Sequence, residues 1–265
     1  VALSTLEQIF AVPDDADGAG VATVVDGASL LSHMKLDNVE HNSSVKLATI
    51  CGTPRGRTAV LQVSTRGELR PSGGLHVENV GPFRARTYAA AVVGGPTDAD
   101  DAAASRDRLV AGLTDALRRC VLGKSEGEAF FLAVLSVLAK KGLLERAHDN
   151  GGALLDAITE VDDGRFPRHV TLTNGIDVLH FARGVPSAIV TVLGLGDDVA
   201  GAVSPTLADS STARERNRRY VGTFCAGALS LPLRADTAMP KGCTLRVLPD
   251  GGAALVGRDM QARLL

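Results

Sequence analysis

The stretch His169–Gly184, HVTLTNGIDVLHFARG, decides the class of fold. Apolar and polar residues alternate on both sides of Asn174-Gly175, a dipeptide that favours the tight turn of an antiparallel hairpin. Downstream the strand pattern continues through SAIVTVLGLG, VGTFCAGALSL and GCTLRVLPDGGAALVG. The polar stretch from Asp197 to Arg219 between them reads as a long loop with a short helix. Upstream the period changes. GALLDAITEV, SEGEAFFLAVLSVLAKKG (Ser125–Gly142) and SRDRLVAGLTDALRRCVLG place apolar residues at helical spacing. Ser125 and Glu128 open the second of these as a capping box. Ser105 or Asp107 is the candidate cap of the helix before it and Gly123 its stop, with PTDADDAAASRD ahead as an acidic loop. Strand signals return nearest the start: GVATVVDG (Gly20–Gly27) ends in Asp-Gly with ASLLSHMKL as its partner, then come TAVLQVST (Thr58–Thr65) and TYAAAVVGG (Thr87–Gly95). Strands, helices and strands again predict an α+β fold, a single domain over residues 1–265.

Composition narrows the function. Of 265 residues 45% are hydrophobic but only 3% aromatic, with no Trp, so Val, Leu and Ala must build the core. A net charge of −2 argues against a nucleic-acid partner. No apolar run reaches the length of a membrane span, and VALSTLEQIF has the layout of no signal peptide, so a cytoplasmic location and no membrane partner are expected. Cys51, Cys120, Cys225 and Cys243 lie too far apart for a zinc or redox pair and are expected to be free thiols. The six histidines lack metal-ligand spacing, so no metal is expected. Gly123-Lys124-Ser125 looks like the end of a phosphate loop, yet Arg118 stands where that loop needs its first glycine. GLGDD lacks the third glycine of a dinucleotide site. RERNRR (Arg214–Arg219) reads as a solvated helix face. No cofactor is expected.

One turn, VENVGPF (Val77–Phe83), is unusually rich in special residues, and its neighbours give it a context. In order along the chain, DGAGVATVVDG, AVLQVSTRG, ENVGPF, YAAAVVGG, GKSEGEAFFLAVL and HVTLTNGIDVLHFARG resemble the motifs of class II glutamine amidotransferases, the N-terminal-nucleophile kind. Those proteins carry D-G-W-G before a strand, H-x-R-x-A-T-x-G on a strand and an E-N-x-H-P-F turn. F-x-H-N-G, a helix-opening G-D-T-D-S-E and an L-T-D-G hairpin follow. MPKGCTLRVLPDG resembles their last strands. The series spans most of the chain, and its order and spacing carry the likeness. Bacterial single-domain members, including the ergothioneine-pathway type, are the nearest in layout. The resemblance implies an Ntn-hydrolase-like αββα sandwich: two stacked, mostly antiparallel sheets flanked by helices.

It also implies a chemistry from which this chain departs. In the family an N-terminal cysteine attacks the glutamine amide, with its own α-amine as base. An Asn side chain and a Gly N–H hold the oxyanion, an Arg pairs with the α-carboxylate, and an acid holds the α-ammonium. Here the first residue is Val1, whose isopropyl group is no nucleophile. The Asn-Gly position falls on Val93-Gly94 or Gly94-Gly95, which loses the amide donor and keeps a backbone one. The Arg position falls near Ser64; Arg66, on the same side of a strand, is the candidate substitute. Glu126 and Glu128 stand at the acid positions, where complementing the helix dipole explains them equally well. Asn79 and Gly81-Pro82-Phe83 resemble the turn beside the glutamine pocket, with Gly81 in place of histidine. Arg66, Asn79, Gly94, Gly95, Glu126 and Glu128 are therefore the expected substrate-binding residues, and no catalytic residue is assigned.

Three functions follow, in order of preference. The first is a divergent member without glutaminase activity that binds an amino-acid-like or amide small molecule, or supports a partner synthetase. The second is a biosynthetic enzyme repurposing the pocket through Glu126, Glu128 or Arg66. The third is an amidohydrolase whose nucleophile, Ser4 or Thr5, is exposed by processing. A homo-oligomer and a bacterial biosynthetic setting fit all three.

Overall fold

Small residues let the first sheet form without bulk. In the computed structural model, which describes residues 16–25, 27–35, 59–65, 76–144, 151–175 and 178–183, and the backbone of strands at 187–193, 219–225, 237–238, 243–247, 253–257 and 260–264, β1 (Ala16–Val25) is buried almost throughout. It pairs antiparallel with β2 (Ala28–Lys35) across Gly27, whose φ of +78° suits the predicted Asp-Gly turn. The free edge of β1 takes β3 (Ala59–Thr65), giving the order β2-β1-β3.

A second sheet carries the site. The chain turns through a 3₁₀ segment (Val77–Asn79) into β4 (Phe83–Ala85) and β5 (Tyr88–Gly94). Four helices follow: α1 (Ala99–Ala111), the single turn α2 (Asp115–Arg118), α3 (Glu126–Lys140) and α4 (Gly151–Val161). The predicted hairpin is β6 (Arg168–Thr173) and β7 (Val178–Arg183), with Thr173 facing Val178 and Gly175 at φ +89°. β8 (Ser187–Leu193) lies between β9 (Arg219–Cys225) and the short β10 (Thr237–Ala238) in a separate sheet. β11 (Cys243–Val247), β12 (Ala253–Gly257) and β13 (Met260–Leu264) return to the main sheet, whose seven antiparallel strands run β13-β12-β11-β7-β6-β5-β4.

The main sheet is covered on both faces. Val170 and Leu172 of β6 point into a core shared with Phe130, Leu135 and Ile158, so α3 and α4 pack on that side. β1 and β3 of the first sheet lie against β5 on the other. α3 is apolar nearly all round because the sheet holds one flank while α1 and α4 hold the others. The expected helix–sheet–sheet layering is therefore present among the described residues.

One reading is corrected. The acidic stretch taken for a loop is the start of α1: the Asp98 carboxylate caps it by accepting from the N–H groups of Asp100 at 2.9 Å and Asp101 at 3.2 Å. Neither Ser105 nor Asp107 is the cap, and the helix stops at Gly112, well before Gly123. Its alanines favour helix without giving an apolar stripe to read. The short helix expected between Asp197 and Arg219 lies outside the described residues.

The face of β6 and β7 turned away from α3 buries two histidines. Their rings, His169 and His180, meet edge to face with centroids 5.9 Å apart, and Thr171 Oγ1 lies 2.8 Å from His180 Nδ1. Burial, reinforced by the charge of His169, pushes the His180 pKa down to about 3. In the unfolded chain the same ring titrates near about 6.5, so protons favour the unfolded state between these values. Stability is expected to hold above about pH 6.5 and to fall by up to about 1.4 kcal/mol per unit as the pH drops toward 3. Urea unfolding at about pH 7.5 and about pH 4.5 measures the fall, which His180→Gln should flatten.

Candidate functional site

A cavity of about 340 Å³ opens where the end of β5, the start of α3 and the side of α1 converge. Asn79, Gly94, Gly95, Arg106, Lys124 and Glu126 line it, with Gln62 and Ser64 of β3 contributing from the other sheet. The volume is at the small end of ligand pockets, which run about 300–1,000 Å³.

Its back wall is a buried ion pair. Arg168 Nη2 donates to Glu126 Oε1 at 2.8 Å and Nη1 to Oε2 at 3.0 Å, with both side chains over nine-tenths buried. Ser105 of α1 adds a third bond to Oε1 at 3.0 Å. The guanidinium lies over the Phe130 ring, 4.0 Å from its centroid. Arg168 reaches this place because it shares the face of Val170 and Leu172, two and four residues on. Its neighbour across the ladder is Arg183, a like charge. Asp162 separates the two: it holds Arg183 Nη1 at 2.7 Å and stands 3.9 Å from Arg168 Nε. Two arginines and two carboxylates leave this wall neutral. Gly95 makes room for it, since a Cβ there would come within 3.0 Å of Glu126 Oε2, and its φ of +114° is one that L side chains rarely adopt.

The turn at Val77–Phe83 forms the side wall. Asn79 is buried, and its Oδ1 accepts the Lys124 N–H at 2.7 Å, tying the turn to the start of α3. At Pro82 the ladder of β4 can go no further, because proline has no N–H to give. Gln62 takes over: its Nε2 donates to the Val92 carbonyl at 2.9 Å and its Oε1 accepts the Val92 N–H at 3.1 Å. A side chain at position 81 would collide with that amide. Gly81, where the family resemblance places histidine, and Gln62 thus go together.

Of the residues expected from sequence, the structure brings Asn79, Gly94, Gly95 and Glu126 to the cavity. Arg66 lies outside the described residues, as does Val1. Glu128 points elsewhere: its two oxygens accept the N–H groups of Leu122 at 2.9 Å and Gly123 at 2.8 Å. The predicted capping box is therefore not made, and Ser125 gives no side-chain cap. Burial pushes the Glu128 carboxyl up, against the pull of those two N–H groups and of Arg106. The backbone donor expected at Gly95 goes to the Pro167 carbonyl at 2.9 Å. Sequence reasoning missed Arg168, Arg106, Gln62 and Lys124 as parts of a site. Arg168 had a signal, its parity with Val170 and Leu172, and an acid in the first turn of so apolar a helix calls for a buried cation. No group of three His, Cys, Asp or Glu among the described residues is placed to hold a metal, and no described helix is long and apolar enough to cross a membrane.

Known structures share this architecture. A glutamine aminotransferase class-II domain protein from Silicibacter pomeroyi is similar with a TM-score of 0.56 at 18% identity, over 91% of this chain and 91% of that one. The glutamine phosphoribosylpyrophosphate amidotransferase from B. subtilis is similar with a TM-score of 0.51 at 12% identity, over 98% of this chain and 46% of that enzyme. No protein-family description and no curated protein matches the sequence. At such identities the likeness is one of fold, and the fold is the Ntn-type one of class II glutamine amidotransferases.

The ion pair at the back wall makes a stability prediction. Arg168→Met leaves a buried carboxylate with no cation, at an expected cost of about 3–5 kcal/mol in denaturant unfolding. The double variant Arg168→Met with Glu126→Gln should recover a good part of that loss, because no unpaired charge remains.

Proposed function

We propose that this chain is a class II glutamine amidotransferase-like protein that binds a small amino-acid-like or amide molecule in the cavity beside α3 without releasing ammonia from glutamine. The observation that carries the reading is where the polar groups of the cavity point. Glu126 is held by Arg168 and Ser105, the Asn79 oxygen by the Lys124 N–H, and the Gly95 N–H by Pro167. Groups that stabilise a developing oxyanion must be aimed at substrate in advance; these bond to the protein's own wall. Val93 or Gly94 stands at the place of the family's amide donor and neither has an amide side chain, and no cysteine or histidine is among the described residues lining the cavity.

The same commitments weigh against acid–base chemistry by Glu126 or Glu128, since Glu126 is tied to Arg168 and Ser105 and Glu128 does not line the cavity. Support of a partner biosynthetic enzyme remains compatible with binding. The B. subtilis neighbour is an amidotransferase of which the matched region is 46%, which fits a glutamine-type domain working beside a second activity.

Calorimetry with glutamine, glutamate and asparagine, run beside an ammonia assay, tests the reading. Saturable binding with ammonia at background is expected. Ammonia release from glutamine overturns it, and N-terminal sequencing of the chain from its native host that begins at Ser4 or Thr5 would assign that turnover to a processed nucleophile.

A further inference from the structure

Among the described residues, not every cation around the cavity is paired. The Glu126–Arg168 pair cancels itself. Arg106 reaches in from α1 with Nη1 2.9 Å from Asp107 Oδ1, so these two cancel as well, and Asp107 is largely exposed while Arg106 is three-quarters buried. Lys124 is left over. Its backbone is fixed by the bond to Asn79, and it lines the cavity. Among the described residues its ammonium has neither an ion pair nor a hydrogen bond. Arg106 has spare donors too: of five N–H groups, one serves Asp107 and one makes a long 3.3 Å contact with the Gly123 carbonyl. The open N-terminus of α3 points its dipole the same way, and Ser125 does not cap it.

We infer that the ligand of this cavity is a small carboxylic acid and that Lys124 selects it, with Arg106 as the second arm of the clasp. This rests on the reading of the cavity as a ligand site and adds the sign of the ligand's charge. A carboxylate gains a charge-assisted bond from an ammonium that has no other partner among the described residues, whereas a neutral amide gains far less. A cationic group meets the opposite situation: the two acids of the wall, Glu126 and Asp107, are already paired with Arg168 and Arg106. The wall that the family resemblance gives to an α-ammonium is therefore anion-selecting here. One unpaired ammonium suits one carboxylate better than a phosphate, and the size of the cavity limits the rest of the molecule.

Calorimetric titration of the full chain with glutarate, glutaramate and glutaramide separates the outcomes, because these probes share a carbon skeleton and carry two, one and no carboxylates. Glutarate and glutaramate should bind, with glutaramide weaker by about tenfold or more. Lys124→Gln should weaken glutarate by about tenfold and reduce its dependence on salt, while Lys124→Arg keeps both. Lys124 is exposed, so an unchanged melting temperature will show that the variants fold. Equal affinity for all three probes, or no effect of Lys124→Gln, overturns the carboxylate inference and leaves the ligand-site reading standing. Failure of every probe to bind overturns the carboxylate inference, and the ligand-site reading falls with it only when glutamine, glutamate and asparagine fail as well.

Discussion

The ion pair between Glu126 and Arg168 is the constraint on which the arrangement around it turns. A carboxylate at the head of an apolar helix and a guanidinium at the mouth of a central strand are both out of water, and each makes the other tolerable. Their bidentate geometry sets how closely α3 approaches β6, and Ser105 draws α1 to the same point. Gly95 has no side chain because the pair occupies that space. Arg183 can face Arg168 across the ladder only because Asp162 stands between them. The cavity is what remains in front of this cluster, and its lack of a free acid follows from the pairing behind it.

Departures from the family pattern are linked by contact. Gln62 lies in the first sheet and Gly81 in the turn before β4, and the amide of one fills the volume a side chain at the other would need. Glu128 leaves the helix head to hold the loop at Leu122 and Gly123, which in turn places Lys124 beside the cavity. On the proposed reading, such a site retains shape and charge while giving up the aimed donors that glutaminase catalysis requires.

Much of the fold was legible because it rests on local patterns. Asp-Gly and Asn-Gly mark their hairpins, continuous apolar runs mark β3 and β5, alternation marks β6, and the longer stretch from Ser125 to Gly142 marks a helix. α1 escaped because its first half is alanine and aspartate, which show propensity without amphipathic contrast. The site was half legible. Asn79, Gly94, Gly95 and Glu126 follow from an ordered resemblance, which preserves position. Arg168 and Gln62 act through partners 42 and 30 residues away in the chain, and no local pattern encodes such a distance. Glu128 was placed by its motif but directed by its neighbours, since two unsatisfied N–H groups lay nearer than a ligand.

Gln62 has a consequence beyond the cavity. The outer edge of β5 is paired only as far as Phe83 faces Ala90, and past that point a lone primary amide stands in for the missing strand. An exposed backbone edge is a template on which another chain can add itself. By presenting one donor and one acceptor in the spacing of a peptide, Gln62 closes that template with a single side chain. The cavity thus sits beside a stretch of sheet edge that is closed by a side chain rather than by a strand.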